Sequence, residues 1–350
     1  MEKPPAPPAA PLSATPEHLA TQLRDTRAAA ERGDAAAQAQ LGLCYVNGDG
    51  VEQDYAEAAR WFRKAAEQGD FNGQFNLGVL YARGEGGVAQ DFKQAFRCFL
   101  QAAKQGVTRA QLHLGDAFAK GQGVAANDAE AAGWFRKAAS QGSAAAQFNL
   151  ARMYFIGKGV PQNHAMAASL YRKAADQGHI GAQNNLGAVY ADGLGVAQDF
   201  TQAAAWFRKA ADQGAAGAQV NLAKMYSTGH GVPQDFAQAA AWYRKAADQG
   251  EAQAQVNLAT LYSTGQGVAQ DYTEAFNWFR KAADQGDVFA QNSLGAMYFN
   301  GQGVKRDRVQ AFAWIQKAAD QGDPEALKLM MRIADFASTA FPLTSQQEPK

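Results

Sequence analysis

Along most of the chain, small and apolar residues fall in two alternating helical stripes. Between residues 179 and 214, Ala182, Leu186, Gly187 and Tyr190 lie at i, i+4, i+5 and i+8, one face of a helix. Gly193-Leu194-Gly195-Val196 breaks that stripe. Asp199 then offers an N-cap acceptor with Gln202 three residues on, a spacing that resembles a capping box. Ala203, Trp206, Phe207 and Ala210 form a second stripe, and Gly214 closes it where a left-handed cap suits glycine. The pattern predicts a helical hairpin, and it recurs. WFRKAA begins at Trp61, Trp134, Trp206 and Trp278, with variants at Trp242 and Trp314. The cap pair returns as Asp54/Glu57, Asp91/Gln94, Asp235/Gln238, Asp271/Glu274 and Asp307/Gln310. Division at the closing glycines gives eight units: 34–69, 70–106, 107–142, 143–178, 179–214, 215–250, 251–286 and 287–322. All have 36 residues except the second, which Gly86-Gly87 lengthens by one.

A lone hairpin leaves one apolar face in water, and stacked copies cover it, so a fixed period of hairpins predicts an all-α solenoid. Gly42, Gly78, Gly115, Gly187 and Gly295 share one equivalent site with Ala151, Ala223 and Ala259, where only a small side chain lets two helices approach. The ends differ. Residues 1–16 hold six of the 11 prolines and read as a disordered Pro/Ala-rich tail. A capping helix is expected over 17–33, a C-terminal capping helix over 323–340 starting at Asp323-Pro324, and a flexible tail over 341–350.

Lys+Arg and Asp+Glu both number 33, which argues against a dedicated nucleic-acid or anionic-membrane binder. Two cysteines exclude a disulfide scaffold and a cysteine-rich zinc module. No run of 18 apolar residues occurs, so no membrane insertion is expected. As written the chain reads as soluble and cytoplasmic, or as periplasmic or secreted if a leader was removed.

The unit A-x-A-Q-x-N-L-G-x-x-Y-x-x-G-x-G-V-x-Q-D followed by A-x-x-W-F-R-K-A-A-D-Q-G resembles the Sel-one-like repeat (SLR) family, a relative of the tetratricopeptide repeat. The resemblance covers 34–322, and 179–286 follow it almost without exception. Cys98 and Leu170 replace Trp, Phe118 replaces Tyr, and Asn127 and Asn163 replace the Asp of the Gln-Asp pair. The resemblance implies a right-handed α-solenoid superhelix whose first helices line a concave side. It also implies a scaffold or adaptor, often in bacterial envelope, secretion or host-interaction pathways.

Eight copies in one chain permit an internal comparison: sites fixed across units are explained by packing, and sites that vary on the first helices are free to recognise a partner. Phe148, Arg152 and Phe155 fall at i, i+4 and i+7 and share one face. They are a candidate hot spot, the alternative being that both rings pack on adjacent helices. One position before the Leu, the row reads Gln40, Asn76, His113, Asn149, Asn185, Asn221, Asn257 and Ser293. Such an asparagine row can bond an extended peptide backbone, as in some tetratricopeptide superhelices, or it can bond neighbouring units. Lys224 varies two positions after the Leu. The partner-binding candidates are thus Asn76, Phe148, Asn149, Arg152, Phe155, Asn185, Asn221, Lys224 and Asn257. The recurring Arg-Lys of the second helix reads as a solvated face.

Catalytic residues are not expected. Some relatives are labelled β-lactamases, but no Ser-x-x-Lys occurs here. Gly-x-Gly-Val never extends to a phosphate-cradling fingerprint. The five histidines lie in different units without metal-ligand spacing. Cys44 and Cys98 read as small buried hydrophobes, with a bridge between them possible only if a leader was removed. The expectation is a monomeric, non-catalytic scaffold or adaptor that binds a protein or peptide in its concave groove, without cofactor, metal or nucleic acid. The alternatives are a cell-wall or β-lactam binding or hydrolysing protein and a structural spacer.

Overall fold

The computed structural model describes residues 16–85 and 87–330, and the expectations for 1–15 and 331–350 lie outside them. Every regular element among the described residues is an α-helix. α1 spans Pro16–Glu31 and starts on a proline that composition assigns to the tail, the first helical position that Pro tolerates best. The first helices of the repeats are α2 (Ala35–Asn47), α4 (Phe71–Arg83), α6 (Thr108–Lys120), α8 (Ala144–Ile156), α10 (Ile180–Asp192), α12 (Ala216–Thr228), α14 (Ala252–Thr264) and α16 (Val288–Asn300). The second helices are α3 (Tyr55–Glu67), α5 (Phe92–Lys104), α7 (Asp128–Ser140), α9 (His164–Asp176), α11 (Phe200–Asp212), α13 (Phe236–Asp248), α15 (Tyr272–Asp284) and α17 (Arg308–Asp320). Residues 324–330 are helical too, and Asp323 caps them by accepting from the Ala326 amide at 2.8 Å.

The chain divides into two compact units at Ala174/Ala175. Within each, successive helices pack on their sequence neighbours, the stacking that defines an α-solenoid. Leucines of the first helices (Leu41, Leu114, Leu186, Leu222, Leu258 and Leu294) and alanines of both helices form the fully buried centre. The small site has a steric cause. A Cβ placed on Gly187 would stand 2.7 Å from the Phe207 ring, and one on Gly115 would stand 2.4 Å from Phe135.

Among the described residues the buried polar ones are eight glutamines at one equivalent position, Gln38, Gln74, Gln111, Gln147, Gln183, Gln219, Gln255 and Gln291, each 3–5% exposed. Gln219 shows their use. Its Nε2 donates to the Ala211 carbonyl in the last turn of α11 at 3.2 Å, and its Oε1 accepts from Gln249 Nε2, just past α13, at 2.9 Å. Gln38, Gln111, Gln183, Gln255 and Gln291 make the same two bonds to their own neighbours. One buried amide thus joins three helices and supplies a partner to a helix-terminal carbonyl.

The loops between first and second helices are stitched by the Gln-Asp pair. Asp54, Asp91, Asp199, Asp235, Asp271 and Asp307 accept backbone N–H bonds as N-caps, and Asn127 does so where Asp is missing. The reciprocal half of a capping box is replaced. The N-cap amide donates instead to the carbonyl of the Tyr in the preceding helix, as Asp199 does to Tyr190 and Asp235 to Tyr226, both at 2.9 Å. The preceding Gln donates to the next carbonyl along, Gln198 to Ala191 and Gln234 to Ser227. Two orphan carbonyls of the first helix are satisfied by the loop that follows it, leaving no need for the Glu or Gln at the third helical position.

In five repeats the second loop glycine (Gly123, Gly159, Gly231, Gly267 and Gly303) has a further constraint. Gly231 holds φ at +71°, and a Cβ there would stand 2.1 Å from the Phe200 carbonyl oxygen of the preceding repeat. Gly123 meets Phe92 and Gly303 meets Tyr272 in the same way. Loop backbone rests on helix backbone, and only glycine fits.

Two stability predictions follow from this packing. Replacement of Gln219 by Leu strips the Ala211 carbonyl and Gln249 of their partner, and chemical denaturation should show a loss of about 1–3 kcal/mol. An unchanged midpoint would mean that the buried amide contributes nothing. Gly231→Ala should cost about 1–3 kcal/mol in backbone strain alone, whereas Gly217→Ala, with open space around its Cβ position, should be neutral or stabilising.

Candidate partner-binding face

The recurring residues of the second helices are occupied by packing. Lys209 lies over the Trp206 ring at 3.8 Å, and Lys64, Lys137, Lys245, Lys281 and Lys317 cover their own tryptophans at 3.7–4.2 Å. Three of the arginines beside these lysines reach a tyrosine of the next repeat: Arg136 donates to the Tyr154 hydroxyl at 3.2 Å, Arg208 to Tyr226 and Arg244 to Tyr262. The Arg-Lys pair is exposed but tied down, more than the solvated face its charge pattern suggests.

The candidate residues lie on the first helices, and the structure divides them. In the fourth repeat Phe148, Arg152 and Phe155 are brought together. Phe148 packs on Tyr171 of α9 with ring centroids 6.0 Å apart. The Arg152 guanidinium lies 5.8 Å from the Phe148 centroid, and Phe155 meets His164 edge-on at 4.9 Å. Both rings are half-buried and Arg152 is exposed, so packing and exposure coexist at this patch. The asparagine row splits as well. Asn221 donates to Asn184 at 3.2 Å, Asn257 accepts from Gln253 at 3.4 Å, and Asn185 is engaged too. Asn76 and Asn149 are half-buried, and their amides have no hydrogen-bond partner among the described residues. Lys224 is exposed.

Around His113, which the sequence places in the asparagine row, a cluster not evident from the sequence spans α4, α5 and α6. His113 stacks flat on Phe99, centroids 4.7 Å apart and planes 8° apart, and leans on Phe75 at 5.7 Å. Arg109 covers the Phe75 ring at 4.9 Å. One face of the imidazole is covered by Phe99 while the residue as a whole stays exposed. Burial lowers the His113 pKa below the ordinary 6.5, Asp116 opposes this, and Arg83, Arg109 and Lys120 add to it. Burial also raises Asp116, with Lys120 and His113 pulling back. The signal available in the sequence was Arg109, which stands where other repeats carry Ala, Asn, Gly, Gln or Phe.

Other chemistry is sparse. Cys98 is buried in a Trp position, its thiol pushed up to about 11 by burial, and Cys44 is half-buried; both are free thiols. No group of three or more His, Cys, Asp or Glu suited to a metal ion occurs among the described residues. No helix among them is long and apolar enough to cross a membrane.

The Sel1 repeat pattern matches eight segments, 35–70, 72–107, 108–143, 144–179, 180–214, 216–251, 252–287 and 288–323. The chain belongs to the Sel1 repeat family. Among solved structures it is similar to an SLR-fold protective antigen present in uropathogenic Escherichia coli strains, with 40% identity and a TM-score of 0.83. That match covers 87% of this chain and 65% of the antigen, so the chain spans less than two thirds of that relative. A Sel1 repeat protein from Oxalobacter formigenes is 34% identical with a TM-score of 0.68, covering 89% of this chain and 90% of that one. A search of curated proteins finds no match. Sel1 repeat proteins generally mediate protein–protein interaction and are typically non-catalytic scaffolds.

The electrostatics of the His113 cluster can be tested by NMR titration. His113 should titrate below 6.5. Asp116→Asn removes the charge that favours the imidazolium and should lower it further, and Arg109→Gln should raise it. Opposite movements would show that these groups do not face one another.

Proposed function

We propose that this Sel1 repeat protein is a non-catalytic scaffold or adaptor whose first-helix face binds a protein through an extended segment. The observation that carries this reading is the fourth repeat, where the unpartnered Asn149 amide lies one position from Phe148, with Arg152 and Phe155 completing the patch. An amide with free donors and acceptor can pair a peptide backbone, while two half-exposed rings and a guanidinium supply the apolar anchor and a directional contact. Asn76 offers the same unspent amide two repeats earlier. Within the other compact unit, Asn185, Asn221 and Asn257 offer whatever bonding capacity their internal contacts leave, and Lys224 lends charge in the sixth repeat. The chain acts as a monomer and needs no cofactor, because recognition rests on side chains it already holds in place.

Partner capture with wild type against the Phe148→Ala/Arg152→Ala/Phe155→Ala variant tests the assignment. Loss of an aromatic anchor at the centre of an interface costs about 2 kcal/mol or more, so partner retention should fall at least ~30-fold. If the variant melts as a folded protein and keeps every partner at wild-type affinity, the patch is not the binding surface.

A further inference from the structure

Many arginines of this chain are consumed internally: Arg208 and Arg244 on tyrosine hydroxyls, Arg60 on Glu57 at 2.7 Å, Arg280 on Asp284 at 3.3 Å, and Arg306, which covers the Phe299 ring, on the Phe299 carbonyl at 2.8 Å. Arg109 and Arg152 are not. Each lies over a phenylalanine, Phe75 and Phe148, and neither has an ion-pair partner among the described residues. A guanidinium over a ring has shed part of its water and is held in place, yet its edge keeps N–H donors in the fork geometry that fits a carboxylate.

Their surroundings share the charge. On α6, Arg109, His113, Asp116 and Lys120 fall at i, i+4, i+7 and i+11, one stripe of the helix. Arg83 of α4 lies within electrostatic reach of His113 and is held only by a 3.7 Å contact to Glu85. Among the charged side chains of α4, α6 and α8, four are cations (Arg83, Arg109, Lys120, Arg152) and one is an anion, Asp116. The first helices of the later repeats, α10, α12, α14 and α16, carry only Asp192 and Lys224. In a chain with no net charge, that is a local concentration of positive charge on the first-helix face of repeats two to four.

We propose that this face, the one read above as the binding surface, takes an acidic peptide segment whose carboxylates pair with Arg109 and Arg152 while apolar side chains between them lie against the Phe75 and Phe148 rings. The inference rests on that reading and adds the partner's chemistry to it. Charge complementarity selects the occupant: a basic segment would meet uncompensated cations, and a neutral one would leave both forks unused.

The experiment uses the full chain and three fluorescent peptides of about twelve residues that share spaced Leu and Phe and differ only in carrying Glu, Gln or Lys between them. Anisotropy at low salt should show the Glu peptide binding at least ~10-fold more tightly than the Gln peptide, with the gap shrinking as salt is raised through a Debye length of about 8 Å. Arg109→Gln/Arg152→Gln should bring the Glu and Gln peptides within about twofold. The lysine pair Arg109→Lys/Arg152→Lys should fall between, since it keeps the charge and loses the fork. Lys305→Gln, exposed in the loop of the eighth repeat, should change nothing. Thermal melts of each variant separate lost binding from lost folding.

Equal binding of all three peptides, unaltered in the folded glutamine variant, overturns the acidic preference and leaves the binding face to be judged separately by its own triple variant. Binding of none of them overturns the proposal as well, and the reading above is then judged on its captured partners alone. Competition by polyphosphate as strong as by the Glu peptide also overturns it, as that outcome describes a general anion site.

Discussion

The buried glutamine amide is the contact on which the stack depends. A side-chain amide shut away from water must find partners for its donors and its acceptor or cost several kcal/mol. Here both requirements are met only when three helices are in place: the one that carries the glutamine, the end of the helix before it, and the end of the helix after it, as in Gln219, Ala211 and Gln249. A repeat that loses either neighbour leaves an unpaired group inside the stack. Cooperativity between repeats therefore has a polar component as well as the apolar one that small alanines and leucines supply.

Around this clamp the remaining recurring residues take supporting tasks. The Gln-Asp pair closes each loop on the carbonyls of the first helix, the second loop glycine lets backbone rest on backbone, and the Arg-Lys pair covers Trp and reaches the next Tyr. With those positions spent on the scaffold, recognition falls to the positions that vary between repeats. Arg109 and Arg152 stand out because each lies on a first helix over a phenylalanine ring with no hydroxyl, carboxylate or carbonyl partner among the described residues, whereas Arg208 and Arg244 also bond tyrosine hydroxyls and Arg306, over Phe299, bonds a backbone carbonyl.

The Sel1 repeat family assigns an interaction role in general terms, and the individual chain refines it through departures from its own repeat. His113 in the asparagine row, Arg109 in place of a small or neutral residue, and paired phenylalanines in the fourth repeat concentrate aromatic and cationic character in repeats two to four. A periodic scaffold makes such departures conspicuous, because each has seven internal controls.

The sequence by itself determined the helices, their period, the Asp N-caps, the glycine terminations and the site where only Gly or Ala fits, since each follows from residues within one turn or one hairpin. It also placed Phe148, Arg152 and Phe155 on one stripe. Tertiary structure alone decided which polar residues are spent. Gln219 and Gln249 read as ordinary polar positions until residues 30 apart are seen to share a hydrogen bond, and Asn221 looks identical to Asn149 until Asn184 is found beside it. The same holds for Arg109, whose ring partner Phe75 lies in the preceding repeat. Periodicity fixes where a side chain starts on its helix. Whether a long polar side chain reaches a neighbour or stays open to a partner depends on the distance between helices, which no local pattern encodes.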